Sequence, residues 1–121
     1  MSADSPQDET QCLFCKIVAG QIPADIVHQN DTVVAFRDLT PQAPTHVLVI
    51  PRSHYPNAGA LAEGEPATAA HLFDAAREIA ALEGLDNGYR LVLNTGAEAQ
   101  QTVFHVHMHL LGGRAMGWPP G

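Results

Sequence analysis

Val103-Phe104-His105-Val106-His107-Met108-His109-Leu110-Leu111 alternates imidazole and aliphatic side chains from position 105 to position 110. On a β-strand, residues i, i+2 and i+4 share a face. Read as a strand, 103–111 places His105, His107 and His109 on one face and Val106, Met108 and Leu110 on the other. The aliphatic face needs covering by another element. The histidine face, spread over roughly 13 Å at the usual strand rise, is left for chemistry.

The covering element is residues 66–82, an alanine-rich stretch with Leu72, Phe73, Ala76, Ile79, Ala80 and Leu82 as its apolar side, and it reads as the one long helix. Further strands read at 24–29 and 32–38, joined by the turn residues Asn30-Asp31, at 45–50, closed by Pro51, and at 89–95 after the turn Asp86-Asn87-Gly88. Residues 39–44 carry two prolines and read as a loop, and 52–64 as a loop with some helical turn. Residues 11–20 read as a short N-terminal helix, apolar at 13, 14, 17 and 18 and stopped by Gly20. Residues 112–121 read as an irregular tail, too short to bury Trp118 locally. Strands in two groups around one long helix predict an α+β domain with an antiparallel sheet of about five strands.

The 121 residues make one domain, expected over 11–121 behind a polar, frayed tail at 1–10. A 45% hydrophobic and 16% charged composition is that of a globular chain. No apolar run reaches the ~20 residues of a membrane span, and Met1-Ser2-Ala3-Asp4 has neither the basic start nor the apolar core of a secretory leader. A cytoplasmic location is therefore expected. Net charge is −7, and the six basic residues are scattered. That excludes a nucleic-acid-binding stripe and an anionic membrane surface as partners. No glycine-rich phosphate loop with its lysine is present, which weighs against kinases and ATPases.

Three of the seven histidines fall within five residues. A lone histidine on a strand is usually surface or a satisfied core group; three in register call for another explanation. One reading is a metal site, since His-x-His on a strand offers two ligands. The other is nucleophilic catalysis, because imidazole is mostly neutral at pH 7 with a pKa of ~6.5 and attacks phosphorus well. The middle histidine, flanked by two possible donors to phosphate oxygens, is then the natural nucleophile.

His105-Val106-His107-Met108-His109-Leu110-Leu111 resembles the signature of the histidine triad family, His-φ-His-φ-His-φ-φ with φ apolar. The likeness extends over residues 12–121. Phe14-x-Lys16-Ile17, Ile22-Pro23-Ala24, Ala35-Phe36-x-Asp38, Pro41-Gln42-Ala43-Pro44-Thr45-His46-x-Leu48-Val49-Ile50-Pro51 and Gly112-Gly113-Arg114 with Trp118-Pro119-Pro120-Gly121 resemble its purine nucleoside phosphoramidase branch. The resemblance implies hydrolysis of adenosine and other purine 5'-phosphoramidates, with His107 attacking the α-phosphorus and releasing AMP from a nucleotidyl-histidine. It implies that His107's other ring nitrogen is tied to a backbone carbonyl, that His109 contacts phosphate, and that His46 and His105 pack around the nucleophile. Thr102, where the family usually has serine, keeps the hydroxyl; Gln101 and Asn94 match nucleotide-site residues; Gln100 stands where glycine is usual. Asp38 resembles the ribose-binding acid; the bland alternative is a strand-end or loop-capping aspartate. Leu13, Phe14, Ile17, Ile22, Phe36 and Leu39 correspond to the purine slot, though composition alone makes most of them core. The family also implies a homodimer whose sheets join and whose tails reach the partner's site. Sister branches hydrolyse dinucleoside polyphosphates, and a nucleotide sensor or scaffold without relevant turnover is a further alternative.

Cys12-Leu13-Phe14-Cys15 is a C-x-x-C. A redox pair of the thioredoxin kind needs a βαβ context that is absent; buried free thiols are the bland alternative; a structural zinc needs two more ligands. His54 and His105 are the candidates. Some bacterial members of the family carry such a pair and bind zinc with two histidines at similar positions. The resemblance thus implies zinc on Cys12, Cys15, His54 and His105, with no cofactor required for catalysis. His28 and His71 find no partner in the sequence and read as surface.

Overall fold

The computed structural model describes residues 9–121; positions 1–8 of the expected tail lie outside them, and Glu9, Thr10 and Gln11 form a turn. The elements are α1 (Leu13–Val18), β1 (Ile26–Gln29), β2 (Val33–Arg37), β3 (Thr45–Pro51), α2 (Ala58–Gly64), α3 (Pro66–Leu82), β4 (Tyr89–Leu93), a 3-10 turn at Ala97–Ala99, and β5 (Met108–Gly112). The five strands form one antiparallel sheet in the order β1-β2-β3-β5-β4. This is the α+β architecture read from the sequence.

Alternation along the strands divides the core in two. Val33 and Ala35 of β2, Val47 and Val49 of β3, and Val106, Met108 and Leu110 meet Leu72, Ala75, Ala76, Ile79 and Ala80 of α3. Val34, Phe36, Leu48 and Ile50 point the other way and meet Cys12, Phe14 and Ile17 around α1. Every residue of the central strand β3 is buried. The Asn30 side chain closes the β1–β2 turn by accepting from the backbone N–H of Thr32 and Val33, both at 2.9 Å. Just before Asp38, the Arg37 guanidinium forks onto Glu83 at 2.9 and 3.1 Å and ties the end of β2 to the end of α3.

Four expectations are corrected. The strand at 103–111 begins only at Met108, because the preceding backbone bonds elsewhere: Val106 N–H donates to the Tyr55 carbonyl (2.7 Å) and the Gln101 amide donates to the Val103 carbonyl (3.1 Å). A helix, α2, occupies part of 52–64, started by the Asn57 side chain accepting from Ala60 N–H at 2.9 Å. Phe73 and Leu82, placed on the buried side of the long helix, are 53% and 73% exposed; they flank the stripe that reaches the sheet. Of the two histidines read as surface, His71 is exposed and paired with the Thr32 hydroxyl at 3.0 Å. His28 is half-buried, its ring approaching Glu78 at 3.4 Å without hydrogen-bond geometry. As expected, Trp118 stands 83% exposed.

Gln100 is the one non-glycine residue with positive φ (68°) among those described, and it ends the 3-10 turn in a left-handed conformation. That conformation costs a side-chain-bearing residue about 1–2 kcal/mol, while glycine loses about 0.5–1 kcal/mol in extra unfolded-chain entropy. Gln100→Gly is therefore expected to stabilise the domain by about 0.5–1 kcal/mol, and Gln100→Ala not at all. Urea denaturation midpoints check this; equal stability of the glycine and alanine variants would contradict it.

Candidate functional site

His107 is buried, and its Nδ1 lies 2.9 Å from the carbonyl oxygen of His105. A carbonyl only accepts, so Nδ1 carries the proton and Nε2 of the neutral ring is bare. The Phe14 ring stands edge-on to His107, centroids 5.1 Å apart at 88°. Burial pushes the His107 pKa below the ordinary histidine value, opposed by the bond to His105 and by Asp38, and so keeps the ring neutral.

A second chain of bonds fixes two more tautomers. The backbone N–H of Gln42 donates to His46 Nδ1 at 3.0 Å, so His46 holds its proton on Nε2. His46 Nε2 lies 2.9 Å from His109 Nδ1, which therefore accepts, and His109 carries its proton on Nε2. The His109 and His107 rings are 5.2 Å apart. His105, His107 and His109 thus gather on one side, although two of the three precede the strand. One ring offers a bare nitrogen and its neighbour an N–H. Burial, then the neighbouring His107 and His46 rings, push His109 down to about 4; burial also lowers His46, opposed by Asp38.

Beside these rings lies an apolar cavity of about 220 Å³ lined by Leu13, Phe14, Ile17, Ile22, Phe36, Asp38 and Leu39, among others. All six residues read as the slot line it. Leu39 does so as a 99% exposed rim. At the slot's polar end, Asp38 Oδ1 accepts from the backbone N–H of Thr40 at 2.8 Å, and Oδ2 lies 3.6 Å from His46 Nε2. Thr102 is exposed and Asn94 half-buried just past β4.

The Gln101 side chain turns inward, accepting from Gly96 N–H (2.9 Å) and donating to the carbonyls of Pro56 (2.6 Å) and Val103 (3.1 Å), so it braces the loop. Backbone groups that sequence patterns cannot show complete the site: the His105 carbonyl, the Gln42 N–H and the Pro51 carbonyl.

On the far side of Phe14, Cys12, Cys15, His54 and His105 bring one ligand atom each within 4.8 Å of one another. His105 Nε2 donates to the Pro51 carbonyl at 2.9 Å, which leaves Nδ1 unprotonated. That atom lies 3.5 Å from both sulfurs and 3.2 Å from His54 Nδ1, which is 3.3 Å from Cys15 Sγ. In a tetrahedral site with Zn–S ≈ 2.3 Å and Zn–N ≈ 2.0–2.1 Å, ligand separations are about 3.5 Å for S···N and about 3.3 Å for N···N. The donors fit zinc in both kind and spacing. His54 Nε2 is buried without a hydrogen-bond partner among the described residues, a cost of about 1–3 kcal/mol that a strong partner for Nδ1 would offset. Burial, with Cys12 beside it, pushes the Cys15 thiol up to about 12; a dication among the donors reverses that.

Asp38, His46 and His109 form a second cluster with donors equally close. Its tautomers do not suit a metal. His46 already accepts at Nδ1, so ligation through Nε2 would demand an imidazolate. The Asp38–His46–His109 group is therefore a hydrogen-bonded array, and the donors suited to a metal are those of the cysteine cluster.

An antiparallel sheet carrying a fixed-tautomer histidine group beside an apolar slot defines a histidine-triad domain. Residues 19–116 match the HIT domain, and the chain belongs to the HIT family. It is 50% identical over 109 residues to an uncharacterized HIT-like protein of Synechococcus elongatus, covering 90% of this chain and 96% of that one. It is 44% identical over 117 residues to a 14 kDa zinc-binding protein of Zea mays, covering 94% and 91%. Among solved structures it resembles a HIT family hydrolase from Legionella pneumophila (TM-score 0.88, 46% identity, 92% of this chain and 100% of that one). It also resembles a histidine triad nucleotide-binding protein from Candida albicans (TM-score 0.79, 30% identity, 90% and 83%). A third is a Zn-bound histidine triad family protein from Mycobacterium smegmatis (TM-score 0.77, 33% identity, 94% and 82%).

Buried neutral histidines tie stability to pH. His46, His107 and His109 all have folded pKa values below the unfolded ~6.5. The unfolded chain therefore binds more protons below that value, and their contribution is present above pH ~6.5 and lost as pH falls towards about 4. Urea unfolding between pH 7.5 and 4.5 should show this decline, and NMR should find His109 titrating near 4. A His109 midpoint at 6.5 would contradict the tautomer chain.

Proposed function

We propose that this protein is a nucleotide hydrolase that cleaves purine nucleoside 5'-phosphoramidates, adenosine ones above all, through a nucleotidyl-histidine on His107. The observation that carries the reading is the 2.9 Å bond from His107 Nδ1 to the His105 carbonyl, which leaves Nε2 bare beside an apolar slot ending in a carboxylate. In this reading the purine enters the slot and Asp38 accepts from the ribose hydroxyls. His107 Nε2 attacks the α-phosphorus; an N–P bond forms, and the amine leaves with the electron pair of its own P–N bond and takes up a proton. His109, held by His46, offers its Nε2–H to a phosphate oxygen or to the departing nitrogen, and the Thr102 hydroxyl and Asn94 border the phosphate. Water then attacks phosphorus, His107 departs, and AMP is released. The hydrolase from Legionella and the nucleotide-binding protein from Candida support the same class.

Cys12, Cys15, His54 and His105 hold a structural zinc in this reading, supported by the zinc-binding maize relative, the Zn-bound mycobacterial structure and the donor spacing. The metal fastens α1 to the 103–107 segment and takes no part in bond making. The protein acts as a homodimer joined along β4, an edge strand paired only with β5 among the described strands. Among the described residues no helix is long and apolar enough to cross a membrane, and two cysteines that form no disulfide suit the reducing cytoplasm.

Two measurements test this. Wild-type protein should turn over an adenosine 5'-phosphoramidate, and His107→Ala should reduce kcat by on the order of 10³ or more while binding AMP within a few-fold of wild type. Retained turnover in His107→Ala would refute the nucleophile, and turnover of dinucleoside polyphosphates alone would move the substrate class. Elemental analysis should find one zinc per chain, and Cys12→Ser should cost at least about 2 kcal/mol of stability. Metal-free protein melting like wild type would reduce the pair to core cysteines.

A further inference from the structure

His105 belongs to two sites at once. Its ring is fixed at both nitrogens, Nε2–H on the Pro51 carbonyl at 2.9 Å and Nδ1 among Cys12, Cys15 and His54. Its backbone carbonyl is the group that takes the His107 Nδ1 proton. That carbonyl lies in the irregular 103–107 stretch, where no sheet ladder holds it. The nearest backbone bonds are those of Val106 to Tyr55 and of the Gln101 side chain to Val103. Val106 N–H, in the same planar peptide as that carbonyl, donates to the Tyr55 carbonyl at 2.7 Å, and each partner of this bond adjoins a member of the cluster, Val106 next to His105 and Tyr55 next to His54. Phe14 gives a second connection: it lies between the two cysteines in sequence and packs edge-on against both His105 (6.0 Å) and His107 (5.1 Å).

We propose that His105 is a positioning residue through which a divalent metal on Cys12, Cys15, His54 and His105 sets the tautomer and orientation of His107, so that cluster occupancy governs bond making rather than nucleotide binding. The proposal rests on the reading of His107 as nucleophile. With the cluster empty, nothing holds His105 Nδ1. The ring keeps only its bond to Pro51, the Val106–Tyr55 bond has a metal-held neighbour at neither end, the His105 carbonyl is less tightly aimed, and His107 is free to place its proton on either nitrogen. Molecules with the proton on Nε2 present an N–H where the lone pair should be, and the rest are poorly aimed. Nucleotide binding is held by other means: Asp38 follows β2, pinned by Arg37 and Glu83, and α1 keeps its packing of Phe14 and Ile17 against Val34, Phe36 and Leu48.

The test uses His54→Ala, which removes one half-buried ligand and leaves α1, His105 and His107 intact. Imidazole ¹⁵N NMR reads the His107 tautomer, AMP titration reads binding, and phosphoramidate turnover reads kcat. The expected result is a folded protein without metal, AMP affinity within about threefold of wild type, a mixed His107 tautomer and a kcat lower by on the order of 10²-fold, the scale of a misplaced reacting group. His54→Cys, which restores a ligand in a form zinc accepts, should recover the Nδ1–H tautomer and kcat together. A purely structural cluster would lower the melting temperature and leave both unchanged. A metal-free His54→Ala protein with the wild-type tautomer and kcat overturns the proposal. Should that variant not fold, zinc is exchanged for the larger cadmium in the intact protein. The His107 Nδ1–H resonance must then move more than the His46 Nε2–H resonance, and equal or no movement overturns the proposal. If His107→Ala retains full activity, the nucleophile reading fails, and the NMR arm still decides the coupling.

Discussion

The hydrogen bond between His107 Nδ1–H and the carbonyl of His105 is the constraint around which this domain is organised. A neutral imidazole has one proton and two nitrogens, and only the unprotonated one can attack. A carbonyl two residues back decides the matter, and the Val106 N–H of the same peptide is bonded to Tyr55, so this stretch does not serve a β ladder. The chain accordingly joins the sheet only at Met108. The irregular backbone that results is satisfied from elsewhere, by the Tyr55 carbonyl and by the inward-turned Gln101.

Desolvation does the rest of the electrostatic work. The histidines sit against the buried central strand β3 and the Phe14 ring, where a charged imidazole is disfavoured. In the proposed reaction, phosphate is met by oriented N–H groups on neutral rings. The same chemistry sorts the two donor clusters. Cys12, Cys15, His54 and His105 have lone pairs converging on one point; in the Asp38–His46–His109 group, His46 has its proton on the nitrogen a metal would need. Two clusters of similar dimensions thus differ in their fitness for a metal, and backbone partners of the rings separate them.

Much of this was legible in the residues. The alternation over 105–110 assigned Val106, Met108 and Leu110 to the α3 side, and the structure agrees, because the faces persist where the ladder stops. The six slot residues were identified by likeness to the family, and they line one cavity. What could not be read depends on distant backbone. The late start of β5 depends on the Tyr55 carbonyl, and the inward turn of Gln101 on the Pro56 carbonyl and the Gly96 N–H. Hydrophobic periodicity placed α3 but could not say that its flanking Phe73 and Leu82 would stay uncovered, since the width of the contact is set by the sheet it meets. Gln100 keeps a glycine-like φ without being glycine, which a substitution alone does not reveal.

The central claim is that the His105 carbonyl holds the His107 Nδ1 proton so that Nε2 attacks phosphorus. The most direct test is to quench the protein during turnover of an adenosine phosphoramidate, isolate the adducted peptide, and determine which ring nitrogen carries the nucleotide. An AMP adduct on Nε2 of His107 is the predicted result. An adduct on Nδ1, on His109 or on a cysteine, or turnover with no adduct at any quench time, would contradict the account.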